Sequence, residues 1–430
     1  MKIAFYTLGC KVNQYETQAL EQMFTGRGHE LVPFEGGADA YIINTCTVTA
    51  VSDKKSRQVI RRARKDNPDA VIAVCGCYPQ THPDDMAGLS VDLVSGTGDR
   101  TGFVELLERT HAERAPLTAL DDAMKRRVFE TLPAGGLEGR TRSMLKVEDG
   151  CVNFCTYCII PFARGPVRSQ PLCETVAQAK QLAAEGYREL IITGIEISSW
   201  GREFRDGSSL IDLLEAVCAA APGCRIRLGS LEPRTITEEF CERASKLPNL
   251  CPHFHLSMQS GCDSVLKRMN RKYDTARFYE SVSLLRKWFD RPGITTDMIV
   301  GFPGETEEEF VQSLEFIRKC AFSAMHIFPY SKRPGTPAAA MKDQILNAEK
   351  EARAHRAGAV AAEMEKDYLS TFVGETVEVL FEENKNGRWR GYTTRYVEVT
   401  ADSEENLHNQ FRKVHITAAE GGRLVGELAE

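Results

Sequence analysis

Cys151-Val152-Asn153-Phe154-Cys155-Thr156-Tyr157-Cys158 is the stretch on which the reading of this chain turns. Three thiols spaced C-x3-C-x2-C can wrap one corner of a cubane iron-sulfur cluster and leave its fourth iron without a protein ligand, whereas structural zinc takes four ligands. A zinc site here would have to be completed by Cys173 or a distant His, and no partner pair with zinc spacing follows. Electron transfer of the ferredoxin type needs a fourth cysteine near the run and no large barrel around it. The spacing therefore favours an open cluster, carried on the loop after the apolar run 144–147.

Downstream of that loop, apolar runs at 189–193, 225–228, 254–258, 295–300 and 324–328 alternate with helical patterns. With 144–147 they make about six βα units, enough for an open barrel related to the eight-unit one. The segment 344–370 carries Ala, Glu, Lys and Arg with few breakers, which predicts one long helix. Upstream, runs at 3–8, 41–44, 71–74 and 91–94 alternate with helical stretches at 15–24 and 51–64, the pattern of a doubly wound parallel sheet. The stretch around Leu132-Pro133-Ala134-Gly135-Gly136 has no clean apolar period and reads as a linker. The last 60 residues place short alternating runs at 377–381, 389–392, 396–399 and 413–417 between Gly, Asn and Asp, which suggests a small antiparallel β-barrel. The expected class is α/β, divided into a parallel-sheet domain over 1–112, a linker over 113–142, a (βα)6 partial barrel over 143–370 and a terminal β-barrel over 371–430.

Cys10, Cys46 and Cys77 each follow one of the upstream apolar runs. In a parallel sheet those strand ends open on one edge, where ligands of such folds bind. A lone cysteine is usually a small buried hydrophobe, but three at equivalent strand ends predict a second three-thiol set. Cys75-Gly76-Cys77 offers two candidates. Cys75 is still within the apolar run and reads as packing, whereas Cys77 lies past a glycine and reads as the ligand.

The 430 residues, 42% hydrophobic and 27% charged, exclude a disordered chain, and fourteen cysteines are too sparse for a disulfide scaffold. No run reaches the roughly 18 uncharged apolar residues of a membrane helix. Thr7-Leu8-Gly9-Cys10 faintly resembles a lipoprotein cleavage site, but the apolar stretch before it is short and Lys11 follows, so no membrane partner and a cytoplasmic location are expected. The net charge of -6 supplies no global field toward nucleic acid, so any such contact must come from local patches.

Jointly, the two cysteine sets, Asn44-Thr45-Cys46-Thr47-Val48, Gly76-Cys77-Tyr78-Pro79-Gln80, Cys158-Ile159-Ile160-Pro161, Leu256-Ser257-Met258-Gln259-Ser260-Gly261 and the run from Thr296 to Glu305 resemble the methylthiotransferases of the radical S-adenosylmethionine (SAM) superfamily. The resemblance spans essentially the whole chain and implies a carboxy-terminal RNA-binding barrel of the TRAM type. Leu8-Gly9-Cys10-Lys11-Val12-Asn13-Gln14-Tyr15-Glu16-Thr17 is similar to the branch acting on N6-threonylcarbamoyladenosine beside the tRNA anticodon. The alternatives within the class act on isopentenyladenosine or on a ribosomal-protein aspartate.

The resemblance implies two 4Fe-4S clusters, one on Cys10, Cys46 and Cys77 and one on Cys151, Cys155 and Cys158. It implies two molecules of SAM per reaction, one methylating sulfur held at the first cluster and one cleaved to a 5′-deoxyadenosyl radical at the second. That radical activates carbon 2 of the adenine, a position closed to ordinary acid and base catalysis. Cofactor contacts are implied at Tyr157, Gly194, Glu196, Ser230, Glu232, Gln259 and Asp297, and the partners are the tRNA anticodon stem-loop and an electron donor such as flavodoxin or ferredoxin. No residue beyond cluster and cofactor ligands is expected to be catalytic.

Several smaller signals carry two readings each. Glu196 could bind the cofactor ammonium or be a solvated loop acid, and Ser230, Glu232 and Gln259 could line the barrel site or cap the following helices. Gly301-Phe302-Pro303-Gly304-Glu305 could admit the adenine moiety or make a tight loop, and His253 and His255 read as barrel or surface residues. Lys54, Lys55, Arg57, Arg61 and Arg62 form a basic helix face, a solvated surface or a phosphate contact; Lys125-Arg126-Arg127 is a second patch. From Thr371 onward there are seven basic against eleven acidic residues. RNA binding by the terminal barrel would therefore need Arg388, Trp389, Arg390 and Arg395 to cluster, together with Tyr392 and Arg412. A reading from another class is a zinc-stabilised RNA-binding protein with no chemistry.

Overall fold

The computed structural model describes residues 1–136 and 140–429; the residues 137–139 of the expected linker and the last residue lie outside the described ones. The amino-terminal strands are β1 (Lys2–Thr7), β2 (Glu30–Val32), β3 (Ala40–Thr45), β4 (Val71–Gly76), β5 (Leu93–Ser95) and β6 (Leu117–Ala119). They pair in the order β2-β1-β3-β4-β5-β6, every neighbour parallel. Their helices are α1 (Lys11–Gly26), α2 (Ala50–Asp66), α3 (Cys77–Thr81) and α4 (Arg100–Glu113). The period-2 alternation sorts each strand onto two cores. Tyr41, Ile43, Ile72 and Val74 pack under α2, whereas Ile42, Val71, Ala73 and Cys75 pack with Leu20 of α1 and Phe103 of α4. Cys75 is thus a core residue on one face, while Cys77 opens α3 at the sheet edge. One correction concerns the expected linker: Leu117–Ala119 forms the sixth strand of this sheet.

The central unit contains β7 (Arg142–Lys146), β8 (Glu148–Asp149), α5 (Ile160–Arg164), β9 (Arg168–Ser169), α6 (Leu172–Ala184), β10 (Glu189–Thr193), α7 (Leu210–Ala220), β11 (Arg225–Leu228), β12 (Ser230–Leu231), α8 (Glu238–Ala244), β13 (His253–Gln259), α9 (Asp263–Arg268), α10 (Thr275–Trp288), β14 (Gly293–Val300), α11 (Glu307–Cys320), β15 (Ala324–Pro329), α12 (Pro337–Ala340) and α13 (Asn347–Ser370). Its parallel strands run β7-β10-β11 and then β12-β13-β14-β15. Gly229 joins the two sheets, its N–H donating to Ile192 O at 2.8 Å, so β11 and β12 are one strand bent at a corner. The result is the open six-unit barrel. Helix α1 lies against its β7 edge and α13 against β15.

Strands β16 (Thr376–Lys385), β17 (Arg388–Thr393), β18 (Glu398–Asp402), β19 (Phe411–Glu420) and β20 (Arg423–Leu428) close a small barrel in the order β16-β17-β18-β20-β19, antiparallel except for β18 with β20. This barrel is docked on the central one through buried arginines. Arg227 makes a bidentate pair with Glu189 at 2.7 and 2.8 Å and donates onward to Thr394 O at 2.9 Å. Arg225 donates to Tyr392 O at 3.0 Å. Among the described residues no helix is long and apolar enough to cross a membrane.

Candidate functional site

Two glycines explain how cysteines so far apart in sequence meet. Gly9 has φ +107°, and a Cβ there would stand 2.8 Å from Cys46 Cβ. Gly76 has φ +100°, and a Cβ there would strike Thr45 O at 2.5 Å. Both positions need a left-handed backbone and a close approach that only glycine supplies. They bring the ends of β1, β3 and β4 together, with Cys10 at the N-cap of α1 and Cys77 at the first position of α3. Asn13 fixes the arrangement: its Nδ2 donates to Leu8 O at 2.8 Å and to Thr45 O at 2.9 Å, while its Oδ1 lies 3.9 Å from Cys10 Sγ.

Cys10, Cys46 and Cys77 act on one another electrostatically, as do Cys151, Cys155 and Cys158. All six are free thiols. Burial pushes Cys77, Cys151 and Cys158 up to about 12, so the neutral thiol is favoured until a cationic metal offsets the desolvation. The sulfurs also collect donors. Val48 N–H reaches Cys46 Sγ and Asn153 N–H reaches Cys151 Sγ, both at 3.5 Å, and Arg271 Nη1 reaches Cys155 Sγ at 3.2 Å. Among the described residues no three His, Cys, Asp or Glu close on a point tightly enough to hold a single metal ion. In a cubane cluster each thiolate binds a different iron, so the three stand wider apart than ligands of one ion. The donor chemistry fits a cluster on each set.

Polar contacts join the segments that carry the two sets. Helices α3 and α5 pack together, and Thr97 donates to Ala163 O at 2.6 Å. From the far side of the barrel Arg333 pairs with Asp53 at 2.6 Å and donates to Thr47 at 2.6 Å, next to Cys46. The helix that begins at Cys77 thus packs against the helix that follows Cys158.

At the carboxyl edge of β10, Glu148 is wholly buried and accepts Glu196 N–H at 2.7 Å. Its carboxyl is pushed well above the usual carboxylate range by burial, with Asp149 and Glu196 adding to the effect and the Glu196 N–H opposing it. Glu196 accepts from Ser199, while Oε1 of Glu196 and Oε1 of Glu148 are buried without a partner. Two orphaned acceptor oxygens beside Gly194 fit an ammonium donor such as that of SAM. Glu232 instead pairs with Arg234 at 2.9 Å and caps nothing. Gln259 ends β13 at φ +68°, a strained conformation for a residue other than glycine and one found at functional edges. Tyr157 packs against Cys262, Met269 and Phe302. Ser230 and Asp297 line, with Lys11, His255, His326 and Tyr396, a cavity of about 650 Å³ between the central barrel and the terminal one. Asp297 faces His255 at 3.2 Å. Gly301 and Glu305 build a tight loop: Glu305 accepts Gly301 N–H at 2.6 Å and pairs with Arg353 of α13 at 2.8 Å.

The proposed RNA contacts divide. Lys54, Lys55, Arg61 and Arg62 are exposed on α2, whose first turn follows Cys46, whereas Arg57 donates to Tyr78 at 2.7 Å. In the terminal barrel Trp389 is a correction: it is 6% exposed in the barrel core and presents no face for a base, because β17 alternates and Arg388 and Arg390 take the outward positions. Arg388, Arg390 and Arg395 do not form a free cluster either. They pair with Asp402 at 2.9 Å, Glu383 at 2.9 Å and Asp290 at 3.2 Å.

Glu148, Arg271 and a buried network of Glu16, Arg164 and Lys146 escaped the sequence reading. Arg271 stands in an ordinary basic run, Asn270-Arg271-Lys272. Glu16 lies within a motif stretch and Arg164 three residues beyond another, but only tertiary contact shows that they meet.

Residues 2–96 match the family described as Uncharacterized protein family UPF0004, and residues 145–317 match the Radical SAM superfamily. The chain is 43% identical to threonylcarbamoyladenosine tRNA methylthiotransferase MtaB of Bacillus subtilis (strain 168), over 97% of this chain and 94% of that protein. The corresponding MtaB of Thermotoga maritima is 38% identical over 91% of this chain and 89% of its own. A tRNA-2-methylthio-N(6)-dimethylallyladenosine synthase of Symbiobacterium thermophilum is 32% identical over 100% and 94%. In fold the chain resembles the radical SAM methyltransferase TsrM of Kitasatospora setae, with a TM-score of 0.58 at 15% identity, covering 79% of this chain and 75% of that one. With both family models matched and relatives matched along nearly their whole length, the chain belongs to the radical SAM tRNA methylthiotransferases, in the threonylcarbamoyladenosine branch.

Proposed function

We propose that this enzyme adds a methylthio group to carbon 2 of N6-threonylcarbamoyladenosine in the tRNA anticodon stem-loop. The reading is carried by one observation: two sets of three interacting thiols, borne by segments whose helices α3 and α5 pack together. Cys151, Cys155 and Cys158 would hold one 4Fe-4S cluster with SAM, and Cys10, Cys46 and Cys77 the other. When bound, these groups supply the radical chemistry that opens an unactivated C–H bond and the methylated sulfur that replaces the hydrogen.

The chain's own residues position and enclose. Glu196 and Glu148 offer acceptors to the cofactor ammonium, and Gly194 leaves room beside them, since a Cβ there would stand 2.8 Å from Glu148 Oε2. Arg271 directs an N–H to Cys155 and braces the strand end by donating to Ser257 O at 3.1 Å. Tyr396 of the terminal barrel and Asp297 of the central one line the same cavity, so both barrels shape it. The exposed face of α2, rather than the aromatic and basic residues of β17, is the surface offered to tRNA phosphates. The reaction belongs in the cytoplasm and draws electrons from a flavodoxin- or ferredoxin-type donor.

The test is anaerobic reconstitution with iron and sulfide, followed by metal counting and nucleoside mass spectrometry of tRNA treated with SAM and reductant. About eight irons in the wild type, and about four in each triple Cys→Ala variant at either site, are expected. The methylthio adduct should appear on threonylcarbamoyl- but not dimethylallyladenosine. If the Cys10, Cys46 and Cys77 variant retains all wild-type iron, the two-cluster reading fails.

A further inference from the structure

Behind the two cysteine loops lies a charged network with almost no access to water. Glu16 of α1 is at its centre, 0% exposed. Arg100 from α4 reaches its Oε2 at 2.9 Å, and Lys146 from β7 reaches its Oε1 at 3.0 Å. Arg164, the last residue of α5, also pairs with Glu16 and approaches Oε2 at 3.2 Å. Asp149 joins Lys146 at 2.9 Å, Arg168 at 3.3 Å and Arg164 at 3.5 Å. Burial by itself would raise both carboxyls, but the surrounding cations hold Glu16 well below its usual range and Asp149 at about 2. Both are therefore ionised, and four buried cations face two buried anions.

Such an excess of positive charge is expensive unless something negative lies beside it. Arg164 indicates where. Its Nη2 donates to Asn13 Oδ1 at 2.8 Å, the oxygen that stands 3.9 Å from Cys10 Sγ, and Asn13 in turn binds the chain on both sides of the site at Leu8 and Thr45. The charges of Arg164 and Cys77 act directly on each other. Nε of Arg164 is buried with no acceptor. A residue of the central barrel, only six positions beyond Cys158, is thus built into the wall of the other thiol set.

We propose that Arg164 is a positioning residue for the amino-terminal cluster: through Asn13 it fixes the loops of Cys10 and Cys46, and its buried charge raises the potential at which that cluster accepts an electron. The proposal rests on the two-cluster reading. Its physical basis is that one-electron reduction adds a negative charge to the cluster, which a fixed guanidinium in a dry site stabilises more than it does the oxidised form. Because Lys146 and Arg164 belong to the segments flanking Cys151 and Cys158, the same network sets the distance between the two sites.

The test is a potentiometric titration followed by electron paramagnetic resonance. It uses the full chain carrying Cys151→Ala, Cys155→Ala and Cys158→Ala, so that one cluster remains. Arg164→Gln should move the midpoint to more negative potential with iron retained, and Arg164→Lys should restore most of the shift. Should Arg164→Gln fail to fold because Glu16 is stranded, the neutral pair Glu16→Gln with Arg164→Gln is expected to shift the midpoint in the same direction but less, because loss of the Glu16 charge offsets part of the lost guanidinium. An intact cluster with an unmoved midpoint in the glutamine variants overturns the proposal. A parent without iron at Cys10, Cys46 and Cys77 overturns the two-cluster reading itself, and the proposal with it.

Discussion

Arg227→Ala should release the terminal barrel from the central one at a cost that its surroundings fix. Arg227 and Glu189 are each about 1% exposed at the side chain and joined by two short hydrogen bonds. The guanidinium also holds Thr393 O and Thr394 O of the terminal barrel and stacks 4.8 Å from the Tyr396 ring. Truncation strands the Glu189 carboxylate, with Arg142 at 3.9 Å as its remaining ion-pair partner, and takes a donor from Thr394 O and from Thr393 O, the latter still accepting Tyr396 N–H. Breaking a buried pair in this way costs about 3–5 kcal/mol. At a urea dependence of roughly 3 kcal/mol/M the midpoint should fall by about 1 M or more. The assay is urea unfolding followed by tryptophan fluorescence, in which Trp389 reports on the terminal barrel and Trp200 on the central one. Replacing both partners, as Glu189→Leu with Arg227→Met, should recover most of the loss, since no charge is then stranded. The pH dependence carries a sign. Burial raises the Glu189 carboxyl, but Arg227, with Arg142 and Arg225 behind it, more than offsets this and holds it below its usual value. The stability this pair confers is therefore present above the unfolded carboxylate pKa and lost as pH falls through the lower folded one, so the gap between wild type and Arg227→Ala should narrow on acidification. A double variant as unstable as the single one, or a gap that widens in acid, would refute the argument.

Glu148→Gln should stabilise the apo protein, and increasingly so as pH rises, because a raised carboxyl pKa confers stability that is lost as pH climbs from the unfolded value through the folded one; thermal melts between pH 5 and pH 8 check the slope. Trp389→Ala should cost about 3–5 kcal/mol by opening the terminal barrel core, while Trp389→Phe should leave tRNA affinity unchanged in a filter-binding assay. Neutralising Lys54, Lys55, Arg61 and Arg62 together to Gln should weaken tRNA binding, and reduce its salt dependence, without loss of iron; a salt slope equal to that of the wild type removes α2 from the RNA surface.

What the sequence disclosed, and what it hid, follows from where information about contacts is stored. The parallel strands β3 and β4 are wholly buried and read as unbroken apolar runs, so their ends, and hence Cys46 and Cys77, could be placed. The strands that went unread are short or at edges. Glu30–Val32 and Leu117–Ala119 are three residues each and half solvated, with too little burial to impose a pattern. Strand β20 also went unread, although the two-residue Gly421-Gly422 turn that pairs Glu420 with Arg423 is a hairpin signal independent of hydrophobic period. Trp389 illustrates the reverse error. Composition nominated it for stacking, yet the alternation of Arg388, Trp389 and Arg390 already required it to point opposite to its neighbours.

The site divides along the same line. Cysteine spacing is local, so the Cys151 loop was legible at once, and strand-end equivalence extended that to three cysteines 67 residues apart from first to last. The electrostatics were not legible, because Glu16, Arg100, Lys146 and Arg164 come from four elements and meet only when α1 packs on β7. As isolated residues they would be taken for solvated charges, the usual state of Glu, Arg and Lys. Their burial reverses that inference: ionised groups kept from water must be matched, and an excess of cations beside three thiols is matched by a centre that is itself negative. A position such as Arg164 therefore has no meaning in its own stretch of chain and acquires one from a partner 148 residues away.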